Sequence, residues 1–314
     1  MKLEGLHHIT MITGDAQRVV DFYADLLGLR LVKKTVNFDA PEAYHLYFGD
    51  ERGAPGSILT WFEFAGAAPG RAGDGMIHTL ELGVASAAAL DFWAERLTGG
   101  GHPATREGDR LDFADPDGLG LALVVADDGN PRLVARHPDV PAAHAITGAQ
   151  GARAYAVAVA GGGDDDRLLA DALGFARVGE AAYRLDGEER HFRWAYDSPP
   201  RQRGRPGAGT VHHIAWASRD EDQLDWRERA VEAGAAVTDV IDRDYFKSIY
   251  FRAPGGILLE IATLTPGFAV DEDEDHLGEA LRLPRRHEHL RPVLERVLRP
   301  VVNPRAARRD AVAP

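Results

Sequence analysis

Apolar and polar positions along the chain fall into a pattern that occurs four times. Leu6 to Ile12 has the composition of a strand. In the run that follows, Val19, Phe22, Tyr23, Leu26 and Leu27 recur at helical spacing until Gly28 ends it. A second copy starts at Met76 to Val84, continues through a helix carrying Leu90, Trp93 and Leu97, and stops at Gly99 to Gly101. A third, weaker copy runs from Ala154 to Val159 through Leu168, Leu169, Ala172 and Leu173 to Gly174. The fourth starts at Val211 to Ala217, passes Leu224 and Val231, and stops at Gly234. β-Branched and aromatic stretches follow the helices, such as Tyr44 to Phe48 with Ser57 to Phe62, and Ser248 to Phe251 with Ile257 to Ile261. Each unit therefore reads strand, helix, then three strands, which predicts an α+β chain of four βαβββ units.

The best internal match sets FADPDGLGLALV (113–124) against FRAPGGILLEIA (251–262), with Pro116 on Pro254 and Gly118 on Gly256. Both read as a hairpin turn feeding the last strand of a unit. Residues 126–150 are polar and contain Pro131, Pro138 and Pro141, so the linker is expected there. After Leu264 come an acidic run, Asp271 to Asp275, a helix expected from about His287 to Leu298, and a frayed last stretch.

Composition narrows the chemistry. With 36 Lys plus Arg against 49 Asp plus Glu, the net charge is −13, which disfavours a nucleic-acid partner. The absence of cysteine excludes disulfides, thiolate metal sites and cysteine nucleophiles, so a metal must be held by nitrogen and oxygen. No apolar run reaches membrane-spanning length and no signal-like start is present, so a cytoplasmic enzyme with no membrane partner is expected.

The repeat serves as its own control. A histidine in the first strand recurs, at His8, His78 and His213, and a core role would explain such recurrence. The carboxylate of the last strand does not recur. Six residues after the hairpin proline stands Glu260 in unit four, but Ala122 in unit two and Trp61 in unit one, if Pro55 is the equivalent proline. Glu260 interrupts an apolar run, and a buried carboxylate costs several kcal/mol unless it is paired or bound to a metal. His8, His213 and Glu260 together would make a facial triad with open positions on one side of the ion. One carboxylate and two imidazoles suit iron(II), with manganese(II) as the alternative, better than calcium or a structural zinc.

These residues also carry a resemblance. HHIT (7–10), VHHIAW (211–216) and DRDYFKSIYFRAPGGILLEIAT (242–263) resemble the vicinal-oxygen-chelate superfamily of glyoxalases, bleomycin-resistance proteins and extradiol dioxygenases. The chain looks most like the hydroquinone-type ring-cleaving dioxygenases, over roughly residues 4–300. The resemblance implies two glyoxalase-like domains with cupped mixed sheets, at residues 1–130 and 149–265, joined by a linker at 131–148 and followed by a helical extension and tail at 266–314. It implies Fe(II) on His8, His213 and Glu260, with Arg243 and Tyr250, seven residues apart, as catalytic groups. It also marks His7, His212 and Thr10 as close to the site. Strand geometry supports Thr10, since residues 8 and 10 share a face, whereas His7 and His212 should point away unless a bulge turns them. A small aromatic substrate and dioxygen are the implied partners, and a homo-oligomer is left open.

Two other readings compete. A glyoxalase-type isomerase needs a fourth ligand, and Glu63, two residues beyond Trp61, would supply it if the alignment slipped by two. A metal-free drug-binding module is the other. GGGDDD at 161–166 reads as a turn with helix-capping acids, and His287 and His289 as part of a solvated basic helix face. No metal is expected at His78.

Overall fold

The computed structural model describes residues 1–126, 129–157 and 167–312, with side chains to residue 308. Unit one comprises β1 (Leu6–Thr13), α1 (Ala16–Val20, continued by a π-helical turn over Asp21–Leu26), β2 (Arg30–Val36), β3 (Tyr44–Gly49) and β4 (Ile58–Glu63). Unit two holds β5 (Ile77–Val84), α2 (Ala87–Gly99), β6 (Thr105–Glu107), β7 (Arg110–Ala114) and β8 (Gly120–Val125). Unit three has β9 (Ala149–Tyr155), a π-helical turn (Arg167–Ala172), β10 (Ala176–Gly179), β11 (Ala182–Asp186) and β12 (His191–Asp197). Unit four has β13 (Val211–Ser218), α3 (Gln223–Glu232), β14 (Ile241–Asp242), β15 (Lys247–Arg252) and β16 (Leu258–Thr263).

Among the described residues sixteen strands form two curled mixed sheets, in the orders β14-β15-β16-β13-β1-β4-β3-β2 and β10-β11-β12-β9-β5-β8-β7-β6. The first sheet joins units one and four, the second joins units two and three. Sheet pairing therefore runs across the linker at 131–148 rather than staying on either side of it. The seam of each sheet is an antiparallel pair of first strands, β1 with β13 and β5 with β9.

The repeated hairpin has a physical basis. Gly118 and Gly256 adopt φ of 90° and 96°, where a side chain is strained, and Asp115 Oδ1 accepts from the amides of Asp117 and Leu119 to fix the first of these turns. Both faces of β1 are buried, which is why its sequence lacks alternation. Its back face carries Ile9 and Met11 into the main core, where Tyr23 lies against Trp61 at a centroid distance of 4.0 Å. The backs of the two sheets also meet, with Trp216 5.0 Å from Phe175 and 5.4 Å from Phe192.

Several expectations shift. The strand of unit three begins at Ala149 and ends at Tyr155, so Ala156 and Val157 lie outside it; Val159 and the GGGDDD stretch fall outside the described residues. In α3 the buried face is Gln223, Trp226 and Ala230, while Leu224 and Val231 are 67% and 48% exposed, because the i, i+4 pair of Trp226 and Ala230 is what meets the sheet. The helix expected from about His287 is a 3₁₀ stretch (Arg285–Leu290) running into α4 (Arg291–Val297). The last stretch includes a helix, α5 (Pro304–Val312), where fraying was expected.

The segment after β16 spans the gap between the two edges of the first sheet. Arg282 N donates to Lys34 O on β2, and Arg285 N donates to Asp244 Oδ2 beside β14. Fully buried Lys33 holds the acidic run, at 2.6 Å from Asp271 and in contact with Glu272. Among the described residues no helix is long and apolar enough to cross a membrane.

Candidate metal centre

His8, His213 and Glu260 converge on the concave face of the first sheet. β1 and β13 run antiparallel with His8 opposite Ala215 and Thr10 opposite His213, and β16 runs parallel to β13 with Glu260 beside Ala215. Side chains from three strands therefore reach one point. His8 Nε2 lies 3.2 Å from His213 Nε2, and Glu260 Oε2 lies 3.3 Å and 3.0 Å from these two nitrogens. Among the described residues this is the only group of His, Asp or Glu side chains with metal-ligand spacing.

The donor set fits a divalent ion. Glu260 is 0% exposed, and its Oε2 has no hydrogen-bond partner although two imidazoles stand beside it, an orphaned acceptor aimed at the space between them. Edges of 3.0 to 3.3 Å between donors match bonds of about 2.1 Å at angles of about 90–105°, the facial arrangement. Burial alone would raise the Glu260 pKa, but His8 and His213 outweigh it and hold the carboxyl well below the usual range, so it is an anion ready to bind.

Both histidines that precede the triad imidazoles sit in β-bulges. Leu6 faces Trp216 and His8 faces Ala215, so His7 is the extra residue of β1; Thr10 faces His213 and Met11 faces Val211, so His212 is the extra residue of β13. The bulges turn each ring back to its neighbour. His7 Nδ1 lies 2.8 Å from His8 Nδ1, and His212 Nδ1 lies 2.7 Å from His213 Nδ1. An imidazole that presents Nε2 to an ion carries its proton on Nδ1, so His8 and His213 donate to the histidines before them. Burial, then the neighbouring His8, pushes His7 down to about 3, which keeps it the neutral acceptor this requires.

Arg243 and Tyr250 come together at the rim. Arg243 Nε donates to the Tyr250 hydroxyl at 3.1 Å, and Arg243 Nη1 donates to Asp39 Oδ2 at 3.1 Å. Burial and the Glu260 charge raise the Tyr250 pKa, against Arg243, so the phenol keeps its proton at neutral pH. Tyr250 faces Glu260 across the β15–β16 ladder. Ser248, two residues before Tyr250 on the same face, donates to Glu260 Oε1. The sequence reading missed Ser248, although its i, i+2 spacing to Tyr250 could have found it. Thr10 bonds Thr60 rather than a triad residue, at 2.8 Å between Oγ1 atoms.

Register settles the question of a fourth ligand. Ala215 pairs with Glu260 and Thr10 with Thr60, so Thr60 is the counterpart of Glu260, and aligning Trp61 there was one residue out. Trp61 points into the core, and Glu63, at odd spacing from Thr60, leaves the cup and accepts from Ala16 N at the start of α1. The register also places Glu81 opposite Ala122, which makes His78 the counterpart of His212 and Thr79 that of His213. The recurrence of a histidine at the ligand position thus fails in unit two. His78 instead bonds Asp197 at 2.9 Å and stacks on Tyr155. His287 bonds Phe38 O at 2.8 Å, away from the triad.

The triad forms the floor of a cavity of 430 Å³, a volume suited to a small ligand, walled by Phe38, Phe62, Phe64 and Phe246 and by two residues that the sequence reading missed, His45 and Tyr47. A larger cleft of 760 Å³ between Arg30, Arg136 and Arg305 lies apart from these donors.

Comparison with known proteins gives matches over most of the chain. The family model described as Glyoxalase/Bleomycin resistance protein/Dioxygenase superfamily matches residues 5–123 and 168–261. A Bacillus subtilis (strain 168) protein provisionally named ring-cleaving dioxygenase MhqO is 44% identical over 95% of this chain and 97% of its own. Chlorohydroquinone/hydroquinone 1,2-dioxygenase of Sphingobium indicum is 32% identical over 95% of this chain and 96% of its own. A crystal structure of a provisionally named dioxygenase from Bacillus subtilis subsp. subtilis str. 168 superimposes with a TM-score of 0.88 at 41% identity, covering 96% of this chain and 98% of that one. Glyoxalase I from Zea mays, at 15% identity and a TM-score of 0.60 over 87% of this chain and 96% of its own, shares the fold.

Proposed function

Given that the chain belongs to the Glyoxalase/Bleomycin resistance protein/Dioxygenase superfamily, we propose that it is an iron(II)-dependent dioxygenase that opens the ring of a hydroquinone- or catechol-like aromatic. The observation that carries this reading is the buried triad of His8, His213 and Glu260, with donor atoms 3.0 to 3.3 Å apart at the end of an aromatic-walled cavity. These three residues would hold the ion. Iron(II) held there would supply Lewis acidity and a route for electrons between an aromatic substrate and dioxygen.

The remaining work falls to the chain's own side chains. Phe38, Phe62 and Phe246 exclude water and offer faces and edges to an aromatic ring. Tyr250, protonated at neutral pH, is the proton donor at the cavity rim, and its hydroxyl can hand a proton to an oxygen that gains charge. The Arg243 guanidinium orients that hydroxyl and adds fixed positive charge where anionic oxygen develops. Burial alone would lower its pKa, but the hydrogen bond to Tyr250 and the charges of Asp39 and Glu260 outweigh it, so it stays charged. Ser248 holds Glu260 in one orientation, and His7 and His212 fix the tautomers of the imidazoles they follow. A cytoplasmic setting with a small aromatic and dioxygen as partners, and no nucleic acid, completes the proposal. Manganese(II) is the alternative ion for the same donors.

Thr60 in place of a fourth carboxylate disfavours the isomerase reading. Oxygen uptake by protein reconstituted with iron(II) under argon, followed with a panel of hydroquinones and catechols, tests the reaction. Stoichiometric oxygen consumption with loss of the aromatic absorbance is expected. Turnover of a hemithioacetal without oxygen uptake would overturn the proposal.

A further inference from the structure

One wall of the cavity carries a hydrogen-bonded chain that the metal centre and the Arg243–Tyr250 pair do not use. Thr10 Oγ1 lies 2.8 Å from Thr60 Oγ1, Thr60 Oγ1 lies 2.8 Å from His45 Nε2, and His45 Nδ1 lies 2.9 Å from the Tyr47 hydroxyl. All four residues are buried, and neighbouring strands β1, β4 and β3 place them side by side, with Thr10 opposite Thr60 and Tyr47 opposite Thr60. His45 and Tyr47 line the same cavity as the triad. Tyr47 is braced from behind by Phe268, at 5.0 Å between ring centroids, and by Tyr245 at 6.4 Å.

The chemistry of the chain follows from its members. A neutral imidazole donates from one nitrogen and accepts at the other, so the hydrogens between Tyr47 and Thr60 must all point one way. If Tyr47 donates to His45, its oxygen is left to accept from a ligand. If His45 donates to Tyr47, the Tyr47 hydrogen is free for a ligand oxygen. His45 is bonded to two hydroxyls, and burial, then His8, His213 and Arg243, hold its pKa well below the usual value, so it remains neutral and both arrangements are open. Tyr47 therefore offers a cavity ligand either a donor or an acceptor at one fixed point.

We propose that Tyr47, backed by His45, is a specificity-determining residue of this site: its hydroxyl meets the second ring oxygen of a para-dihydroxybenzene, which an ortho-diol or a simple phenol does not bring to it. This rests on the reading of the triad as a substrate-binding metal centre. An ortho-diol brings both oxygens to one ion and leaves the Tyr47–His45 pair without a ligand partner. A para-diol carries its second oxygen across the ring, where a buried hydroxyl on another wall can meet it. A ligand lacking that oxygen leaves Tyr47 facing carbon, which forfeits a hydrogen bond without gaining a contact.

The test is calorimetric binding to metal-loaded protein under argon, with hydroquinone, 4-methylphenol and catechol as probes, for wild type, Tyr47→Phe and Thr60→Val. Tyr47→Phe should weaken hydroquinone binding about five- to tenfold while 4-methylphenol and catechol change less than about twofold. Thr60→Val, which cuts the chain behind His45, should reduce the preference for hydroquinone over 4-methylphenol by a smaller factor. Equal losses for all three probes in Tyr47→Phe, or no loss for any, overturns the assignment; an unchanged preference in Thr60→Val overturns the extended chain. Ring cleavage is scored separately on the same wild-type samples. Wild type that binds the probes without cleaving them overturns the proposed reaction and leaves the Tyr47 comparison standing, whereas no binding by wild type overturns both.

Discussion

Replacing Ser248 with alanine removes the hydroxyl that donates to Glu260 Oε1 while leaving all three triad side chains in place. The acceptor is an ionised carboxylate with no water-exposed surface, so the lost bond is of the charge-assisted kind, about 1.5–3 kcal/mol. Without it the carboxylate can rotate, and Oε2 no longer points by default at the two imidazoles. Loss of a partner that orients a ligand typically costs about 10–100-fold in metal affinity, which agrees with that energy. The assay is competition for iron(II) or manganese(II) against a divalent-ion indicator under argon, with circular dichroism to confirm the fold. Ser218→Ala is the control, since Ser218 is equally buried in the same sheet but donates to Gln223 at 2.8 Å, away from the site. Ser248→Ala should weaken metal binding at least about tenfold and Ser218→Ala less than about twofold. Equal affinities for Ser248→Ala and wild type would refute the claim that this hydroxyl sets the carboxylate.

Other outcomes follow from the same structure. Tyr250→Phe should keep its full metal content and lose about 10²–10⁴-fold in turnover, measured by oxygen uptake, because the phenol contributes a proton and no metal bond. Asp115, buried in the hairpin of unit two, is raised to about 6, mainly by burial. Its folded pKa lies above the unfolded one, so stability falls as pH rises from about 4 to about 6, by roughly 3 kcal/mol, and is flat above that window. Asp115→Asn should remove that component from urea-derived stability measured at pH 4 and pH 7; an unchanged pH dependence would contradict it. Lys33→Met leaves Glu272 buried without its main cation and should cost about 3–5 kcal/mol in unfolding free energy, read from denaturant melts, whereas a loss under about 1 kcal/mol would show that the acidic run is not anchored there.

Strand-level features were legible because their causes are local. The hairpins announce themselves through Pro116–Gly118 and Pro254–Gly256, and Glu260 stands out as a charge in an apolar run. His8 and His213 lie in two strands whose motifs resemble one another, and their meeting follows once β1 and β13 pair. What stayed hidden depends on long-range pairing. Nothing in the order of units tells that unit one pairs with unit four, and this pairing is what brings His8 to Glu260. The bulges at His7 and His212 are visible only as missing partners across a ladder. Thr60 was displaced to Trp61 because the turn of unit one is one residue shorter than its Pro55 anchor implied. His45 and Tyr47 lie in a predicted strand, but both of its faces are buried, so alternation could not say which residues faced the cavity.

The most direct test of the account is the metal content of protein prepared and reconstituted with iron(II) under argon, for wild type, His213→Ala and Glu260→Ala. Wild type should hold stoichiometric iron, and each variant should lose it while keeping its fold by circular dichroism. Stoichiometric iron retained by both variants would contradict a centre built on His8, His213 and Glu260.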